Sequence, residues 1–171
     1  MRSSFAGGAL LQGATELVPV HSTDAKSCAS FEKLIINGRP CFLKVVSTED
    51  DWIMRVTGNE HWEFQVWRAG LYQRVPSVID PAMIGMALDD SGGATRLAML
   101  MHDRSADLVP PGDSPIPASQ HAGFIQHLGQ MHAANLGWHD DLSLYPLERR
   151  TLFFAPATIA PELSRDEVPL P

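Results

Sequence analysis

The segment FEKLIINGRPCFLKVV, residues 31–46, decides the fold of this chain. Two runs rich in apolar and β-branched residues, 31–36 and 41–46, flank the dipeptide Asn37-Gly38. Asn-Gly is the strongest short-range hairpin signal, because both central residues of a type I′ turn need a positive φ. The segment therefore predicts two antiparallel strands joined by a tight turn.

Further strands are predicted on either side of this hairpin. Residues 15–20 precede it as a third strand, and residues 84–88 and 96–101 follow as a second hairpin around a polar, glycine-containing turn. The sequence thus predicts an α+β fold with an antiparallel five-stranded sheet and helices.

Three helices are predicted from capping residues and apolar spacing. A cap at Ser47 or Thr48 followed by the acids Glu49, Asp50 and Asp51 suits a helix N-terminus, and this first helix is expected to end at Gly58. A second is expected from Asn59 to about Gln73, and the longest covers residues 118–137. After Trp138 prolines are frequent, and no closing helix is predicted.

Composition indicates a folded chain and disfavours several partners. Of the 171 residues 44% are hydrophobic and 19% charged, which supports a buried core. The net charge of −7 disfavours nucleic acid as a partner. No apolar run reaches the roughly 18 residues of a membrane span, so we expect a cytoplasmic protein with no membrane partner. Cys28 and Cys41 are expected to be free thiols.

The expected organisation has four parts. Residues 1–14 are a loose N-terminus, and residues 15–103 hold the sheet. Residues 104–117, rich in proline and glycine, form a linker. Residues 118–171 begin a helical part.

The order of elements resembles the small lobe of the protein-kinase-like fold. It runs strand, polar loop, strand, hairpin, strand with a lysine, helix with a glutamate, strand, turn, strand, linker and helix. The closest resemblance is to the aminoglycoside phosphotransferase and choline kinase family, over about residues 15–138. It implies a nucleotide-binding lobe, residues 15–103, followed by the first helices of a truncated large lobe.

The resemblance implies that Lys44, in CFLKVV, is the strand lysine that holds the α- and β-phosphates of ATP. An ammonium group on a rigid strand suits such dense negative charge, and a nearby acid would orient it. Glu63, on the helix that precedes Val75-Pro76, is the expected partner, with Glu60 one turn earlier as the second choice.

Other nucleotide contacts follow from the same resemblance. The loop at residues 21–30 would cover the phosphates, with the hydroxyls of Ser22 and Thr23 as donors; it contains no glycine. Phe42 and Val20 would face the base. The hinge that offers backbone groups to adenine would be Met101, His102 and Asp103.

The catalytic motifs of the family are not found. The family has a His-Gly-Asp motif followed by an Asn, and a later Asp motif that helps to hold Mg²⁺. His139-Asp140-Asp141 follows the helix of His132 too closely and lacks the downstream Asn, so a turn or cap is expected there. No catalytic or metal residue is therefore assigned, and this chain alone is expected to be inactive; His132 is expected to be structural.

Three hypotheses remain open. The first is an ATP- and Mg²⁺-dependent phosphotransferase whose small-molecule hydroxyl acceptor binds in the missing lobe. In that case the chain is truncated, and Leu152, Phe153, Phe154 and Ile159 would form an exposed apolar patch. The second is a non-catalytic, pseudokinase-like module that binds a nucleotide or a protein. The third is an unrelated α+β domain, in which Lys44 and Glu63 would point apart.

Overall fold

The structure, a computed structural model, describes residues 8–21, 29–90, 93–110, 114–144 and 155–165. Its strands are β1 (Ala14–Val20), β2 (Ser30–Ile36), β3 (Arg39–Ser47), β4 (Met83–Asp89) and β5 (Arg96–His102). Its α-helices are α1 (Trp52–Thr57), α2 (Trp62–Arg68), α3 (Ala118–Ala134) and α4 (Pro156–Leu163). Short 3₁₀ turns occupy Leu71–Arg74 and Ser105–Asp107.

The β2–β3 hairpin forms as the sequence predicts. Asn37 and Gly38 have φ values of 51° and 74°, the left-handed backbone of a type I′ turn. The strands pair from Ile36 opposite Arg39 to Ser30 opposite Val45 without a register shift. A local turn signal therefore sets the register of the whole hairpin.

The five strands form one antiparallel sheet with the order β1-β2-β3-β5-β4, which confirms the predicted α+β class. β3 is the central strand, since it pairs with β2 on one side and with β5 on the other. The chain leaves the sheet after β3, forms α1 and α2, and returns as the β4–β5 hairpin. Pairing of β3 with β5 joins the two hairpins.

The sheet is buried on both faces. On the face that we call the N-terminal face, Leu34, Leu43 and Leu100 form a core with Cys41, Val45 and Ala98, and Leu10 and Leu11 pack against it. On the opposite face, here the helical face, the core is Val46, Met54, Met86, Leu97 and Met99. Part of the N-terminal stretch predicted to be loose thus contacts the sheet.

Cys41 belongs to the core of the N-terminal face. Its thiol is free, and burial raises its pKa. Cys28 lies outside the described residues.

Helix α1 ends at Gly58 as the sequence predicts, but its N-cap is Asp51 and not the predicted Ser47 or Thr48. The Asp51 carboxylate accepts hydrogen bonds from the backbone N–H groups of Ile53 (2.9 Å) and Met54 (3.2 Å). Gly58 ends the helix in the left-handed conformation, with φ at 64°. Met54 enters the core of the helical face from this short helix, so the caps fix where that side chain lies.

Replacing Asp51 with alanine is expected to lower the free energy of unfolding by about 1–2 kcal/mol, because two helix N–H groups lose their acceptor. Urea unfolding followed by circular dichroism measures this loss. Asp50→Ala is the matched control, since Asp50 is exposed and lies one residue before the cap. Equal effects of the two variants would contradict a capping role.

Helix α2 is shorter than predicted. It begins at Trp62, where the Asn59 side chain accepts a hydrogen bond from the Trp62 N–H (2.8 Å), and it ends at Arg68 instead of Gln73. Gly70 is the physical reason, because its φ of 72° breaks the helical hydrogen-bond ladder and a 3₁₀ turn follows. Phe64 and Trp67 pack on the helical face as expected.

The C-terminal region departs most from the sequence predictions. Helix α3 ends at Ala134, three residues before the predicted end, and a turn follows to Gly137 (φ 77°). Helix α4 was not predicted, because Pro156 and Pro161 indicate a break. Pro156 occupies the first turn of α4, where a missing N–H costs nothing.

A nearly buried ion pair attaches α4 to α1. The guanidinium of Arg55 donates from Nη2 to Glu162 Oε2 at 2.6 Å and from Nε to both carboxylate oxygens at 3.0 Å. The two side chains are 13% and 8% exposed, and Arg55 Nη1 also donates to the Glu49 carbonyl. Hydrogen bonds from Arg55 lower the pKa of Glu162. This contact therefore favours the charged carboxylate.

Docking of α4 is expected to depend on the charge of Glu162. Its pKa is lowered in the folded state, so this stabilisation is present above the unfolded pKa near 4.3 and is lost as the pH falls through the folded pKa. Glu162→Gln should therefore speed amide hydrogen exchange in α4 at pH 7 at least about tenfold, since breaking such a pair usually costs several kcal/mol.

Arg165→Ala is the control for this prediction. Arg165 lies 4.0 Å from the same carboxylate but is 47% exposed, so its removal should change exchange in α4 little. Unchanged exchange in Glu162→Gln would mean that other contacts hold the helix.

Candidate functional site

Lys44 occupies the middle of the central strand. It lies directly opposite Phe31 on β2 and Met99 on β5, and its side chain is half-buried. Side chains at such positions have Cβ atoms about 5 Å apart. The strand is hydrogen-bonded on both sides, so the backbone that carries the ammonium group is held rigidly.

Lys44 shares the helical face with α2. Side chains alternate along a strand, so Phe42, Lys44 and Val46 lie on the same face. Val46 belongs to the core against which Phe64 and Trp67 of α2 pack. Lys44 therefore lies on the face of the sheet on which α2 packs.

Glu63, the predicted partner of Lys44, lies in the first turn of α2. Its Oε2 accepts a hydrogen bond from Asn59 Nδ2 at 3.4 Å. No ion pair within 4.0 Å joins it to Lys44 among the salt bridges of the described residues. Glu60 is exposed, and its carbonyl accepts from Gln65 Nε2 at 3.4 Å. The pairing of Lys44 with Glu63 therefore stays a prediction.

Two phenylalanine rings lie next to Lys44 on the helical face. The centroids of Phe31 and Phe42 are 5.7 Å apart, with the rings tilted by 32°. Phe42 is opposite Met101 on β5, and Phe31 is opposite Val20 on β1. An apolar surface therefore extends from β1 to β5 beside the ammonium group, and a flat ring could lie on it.

The predicted hinge at residues 101–103 begins at the end of β5. The N–H of His102 donates to the Ala82 carbonyl at 2.8 Å, and the N–H of Asp103 donates to the Pro40 carbonyl at 3.2 Å. Met101 packs on the helical face. His102 instead lines a cavity of about 370 Å³ with Cys41, on the opposite side of the sheet. The two backbone donors predicted to meet a base are engaged within the sheet.

Lys33 is a second lysine on the helical face, and it was not identified as a site residue from the sequence. Lys33 Nζ lies 3.3 Å from Asp103 Oδ2 and donates to Ser105 Oγ at 2.9 Å. Hydrogen bonds from Ser105, and then from Lys33, lower the pKa of Asp103. The alternation of β2 places Lys33 on the same face as Phe31, but its partners lie seventy residues later. Sequence proximity gives no signal for that pairing.

His61 is the second feature that sequence reasoning missed. It is 7% exposed, its φ is 59°, and its Nδ1 has no hydrogen-bond partner. Burial lowers the pKa of His61. The nearby carboxylates of Glu63, Asp90 and Glu60 and a hydrogen bond to the Thr95 backbone act in the opposite direction. The positive φ at a non-glycine residue leaves no mark in a single sequence.

Two open clefts flank α2, away from Lys44. One, of about 560 Å³, lies between Glu60, Trp62 and Gln65 and the segment from Asp140 to Leu144. The other, of about 440 Å³, is lined by Glu60, His61, Phe64, Gln65, Arg68, Ala69, Leu88 and Leu142. Lys44 lines neither cleft, so these clefts are separate from the lysine surface.

The remaining predicted residues divide into two groups. Ser22 and Thr23 of the predicted phosphate loop, and Leu152, Phe153 and Phe154 of the predicted apolar patch, lie outside the described residues. Asp140, from the His139-Asp140-Asp141 segment, accepts hydrogen bonds from the backbone N–H groups of Leu142 (2.9 Å) and Leu144 (2.7 Å). This is the turn role that the sequence predicts for it.

In the described part of the chain, no group of three or more His, Cys, Asp or Glu side chains could hold a metal ion. No helix there is long and apolar enough to cross a membrane.

Comparison of the chain with protein-family models, with curated proteins and with solved structures gives no match. The site is therefore interpreted from its own geometry.

Buried His61 is expected to make folding stability depend on pH. Its pKa is lowered in the folded state, so its contribution is fully present above the unfolded pKa near 6.5 and decreases as the pH falls below it. Urea unfolding should show that the wild-type protein is less stable at pH 5.5 than at pH 7.5. This difference should be smaller in His61→Asn, because the variant lacks the titrating imidazole. Asparagine is chosen because it tolerates the positive φ of this position. His102→Asn, at an exposed position, is the control and should keep the wild-type difference.

Proposed function

We propose that the helical face around Lys44 binds the phosphates of ATP, with Mg²⁺, and that the chain is the nucleotide-binding part of a small-molecule phosphotransferase. One observation carries the proposal: Lys44 is fixed on the central strand, half-buried, on the face that carries Phe31 and Phe42 and on which α2 packs. A half-buried ammonium group acts more strongly on a bound anion than a fully exposed one.

The electrostatics of the helical face support this proposal. The chain carries a net charge of −7, so a polyphosphate needs a local cation to approach it. Lys33 and Lys44 place two ammonium groups on the same face. The Lys33 ammonium is engaged by Asp103, whereas Lys44 has no partner within 4.0 Å in the salt bridges of the described residues. Lys44 is thus the better phosphate ligand.

The apolar surface beside Lys44 suits the other end of a nucleotide. Phe31 and Phe42 offer ring faces and edges on which a base could stack. Phosphates at Lys44 and a base against Phe42 would lie side by side on one face of a rigid sheet. This arrangement favours a nucleotide over inorganic phosphate or a simple sugar phosphate.

The order and pairing of the elements agree with the resemblance to aminoglycoside phosphotransferases and choline kinases. The lysine strand is followed by helices that pack on the lysine's face, and then by a hairpin that completes a five-stranded sheet. Such a lobe would hold and orient the nucleotide for transfer of its γ-phosphoryl group to a hydroxyl acceptor. No residue of this chain is assigned as the catalytic acid or as a Mg²⁺ ligand.

A second candidate is a non-catalytic, pseudokinase-like module that binds a nucleotide or a protein. Two observations favour it. Lys44 and Glu63 form no ion pair within 4.0 Å in the described residues. The N–H groups of His102 and Asp103 are already engaged within the sheet. A phosphotransferase needs its lysine oriented, whereas a weak binder does not.

Calorimetric titration with Mg²⁺ and ATP tests the proposal. We expect wild-type protein to bind ATP, and Lys44→Ala to bind it more weakly by about 1–3 kcal/mol, the usual effect of losing a charged hydrogen-bonding partner. ADP keeps the α- and β-phosphates and should show a similar difference between the two proteins, whereas adenosine should show none.

Lys33→Ala is the matched control, since it removes an equal charge from the same face. An equal loss in both variants would indicate general charge attraction instead of a phosphate site at Lys44. A folded wild-type protein that binds no ATP would rule out nucleotide binding by this chain, and a protein-binding module would then be the better interpretation.

A further inference from the structure

The cavity of about 370 Å³ on the N-terminal face of the sheet lies at the end where the β2–β3 hairpin turns. Four strands contribute apolar residues to it: Ile36 from β2, Cys41 from β3, Ile84 from β4 and Leu100 from β5. Cys41 and Leu100 are buried in the core of this face, so the cavity is built on the rigid part of the sheet. Its volume lies at the lower end of the range of small-molecule sites.

Three exposed polar residues line the same cavity: Asn37, Arg39 and His102. Asn37 has the left-handed backbone of the turn, with φ at 51°, and β3 begins at Arg39. In the sheet Arg39 is opposite Ile36, and His102 is opposite Cys41. The polar groups are therefore positioned by the same strands and the same turn as the apolar ones.

Arg39 brings a positive charge to this cavity. It forms no salt bridge within 4.0 Å with any residue that the structure describes. Burial raises the pKa of the Cys41 thiol, whereas a hydrogen bond to the Ile36 backbone and the charge of Arg39 lower it, so this charge acts at the cavity wall. None of the described residues that line the cavity is Asp or Glu.

Asp103 is the acid whose charge also acts on Cys41, where it raises the pKa of the thiol. Its carboxylate already has partners, because Lys33 Nζ lies 3.3 Å from Oδ2 and the Ser105 N–H donates to Oδ1 at 2.8 Å. An anion that reaches Arg39 therefore meets a guanidinium group that no described carboxylate holds.

The lining sets two requirements for a ligand. Most of the surface is apolar, and polar groups placed against it would lose their hydrogen bonds with water, so the body of the ligand must be apolar. One guanidinium group suits one carboxylate, whose two oxygens match its planar arrangement of donors. A polyanion would be repelled by the net charge of −7 unless a second cation held it.

We propose that this cavity binds a small monocarboxylate with an apolar body, with its carboxylate on Arg39 and its hydrocarbon part against Ile36, Ile84 and Leu100. The proposal does not depend on nucleotide binding, because the cavity and Lys44 lie on opposite faces of the sheet.

Titration of the full chain with octanoate, followed by amide chemical shifts in NMR spectra, tests the proposal. Octanoate has about ten non-hydrogen atoms and should bind with a dissociation constant of roughly 0.01–1 mM. The amide signals of Cys41 and Leu100 should shift as it binds. Octylamine, with the same chain and the opposite charge, should bind at least about tenfold more weakly.

Two variants separate the charged contact from the apolar one. Arg39→Ala should raise the dissociation constant for octanoate at least about tenfold, the usual effect of losing a charged hydrogen-bonding partner. The same variant should keep the constant for 1-octanol, which has the chain without the charge, within about threefold of wild type. Ile84→Ser, at an exposed position, should weaken both ligands roughly threefold or more, because it removes apolar lining.

Arg74→Ala is the matched control, since Arg74 is exposed, carries the same charge and lies on a 3₁₀ turn outside the cavity. It should keep the wild-type constants for both ligands. A wild-type protein that does not bind octanoate would overturn the proposal, as would equal losses in Arg39→Ala and Arg74→Ala. A loss of 1-octanol binding in Arg39→Ala as large as the loss of octanoate binding would also overturn it, because the charge would then not be the cause.

Discussion

Hydrogen bonding of β3 on both sides is the constraint on which the rest of the structure depends. β3 joins the two hairpins through its pairing with β5, and its Leu43 is fully buried. If this strand were misplaced by one residue, its core side chains would move to the opposite face. The two cores, the position of Lys44 and the placement of α2 all follow from this one register.

The two faces of the sheet have different coverings, and this difference gives the fold its asymmetry. Leu10 and Leu11 cover the N-terminal face, where Gly85 leaves room for the Leu10 side chain. The helical face is covered by α1 and α2, and α4 is attached to α1 through Arg55 and Glu162. Lys33 and Lys44 place charged side chains within the apolar surface of the helical face.

The sequence by itself determined the local features of this protein. Asn37-Gly38 set the hairpin, Gly58 set the end of α1, and alternation placed Lys44 on the face opposite Leu43. These are properties of neighbouring residues, so turn and capping chemistry is sufficient to predict them.

Only the tertiary structure decided which distant residues meet. The pairing of β3 with β5, the contact of Lys33 with Asp103 and the docking of α4 through Glu162 join residues that are far apart in sequence. Burial of His61 and exposure of the apolar side of α3 likewise depend on how whole elements pack. No local pattern encodes these contacts, because their free energy arises from surfaces that come together only when the chain folds.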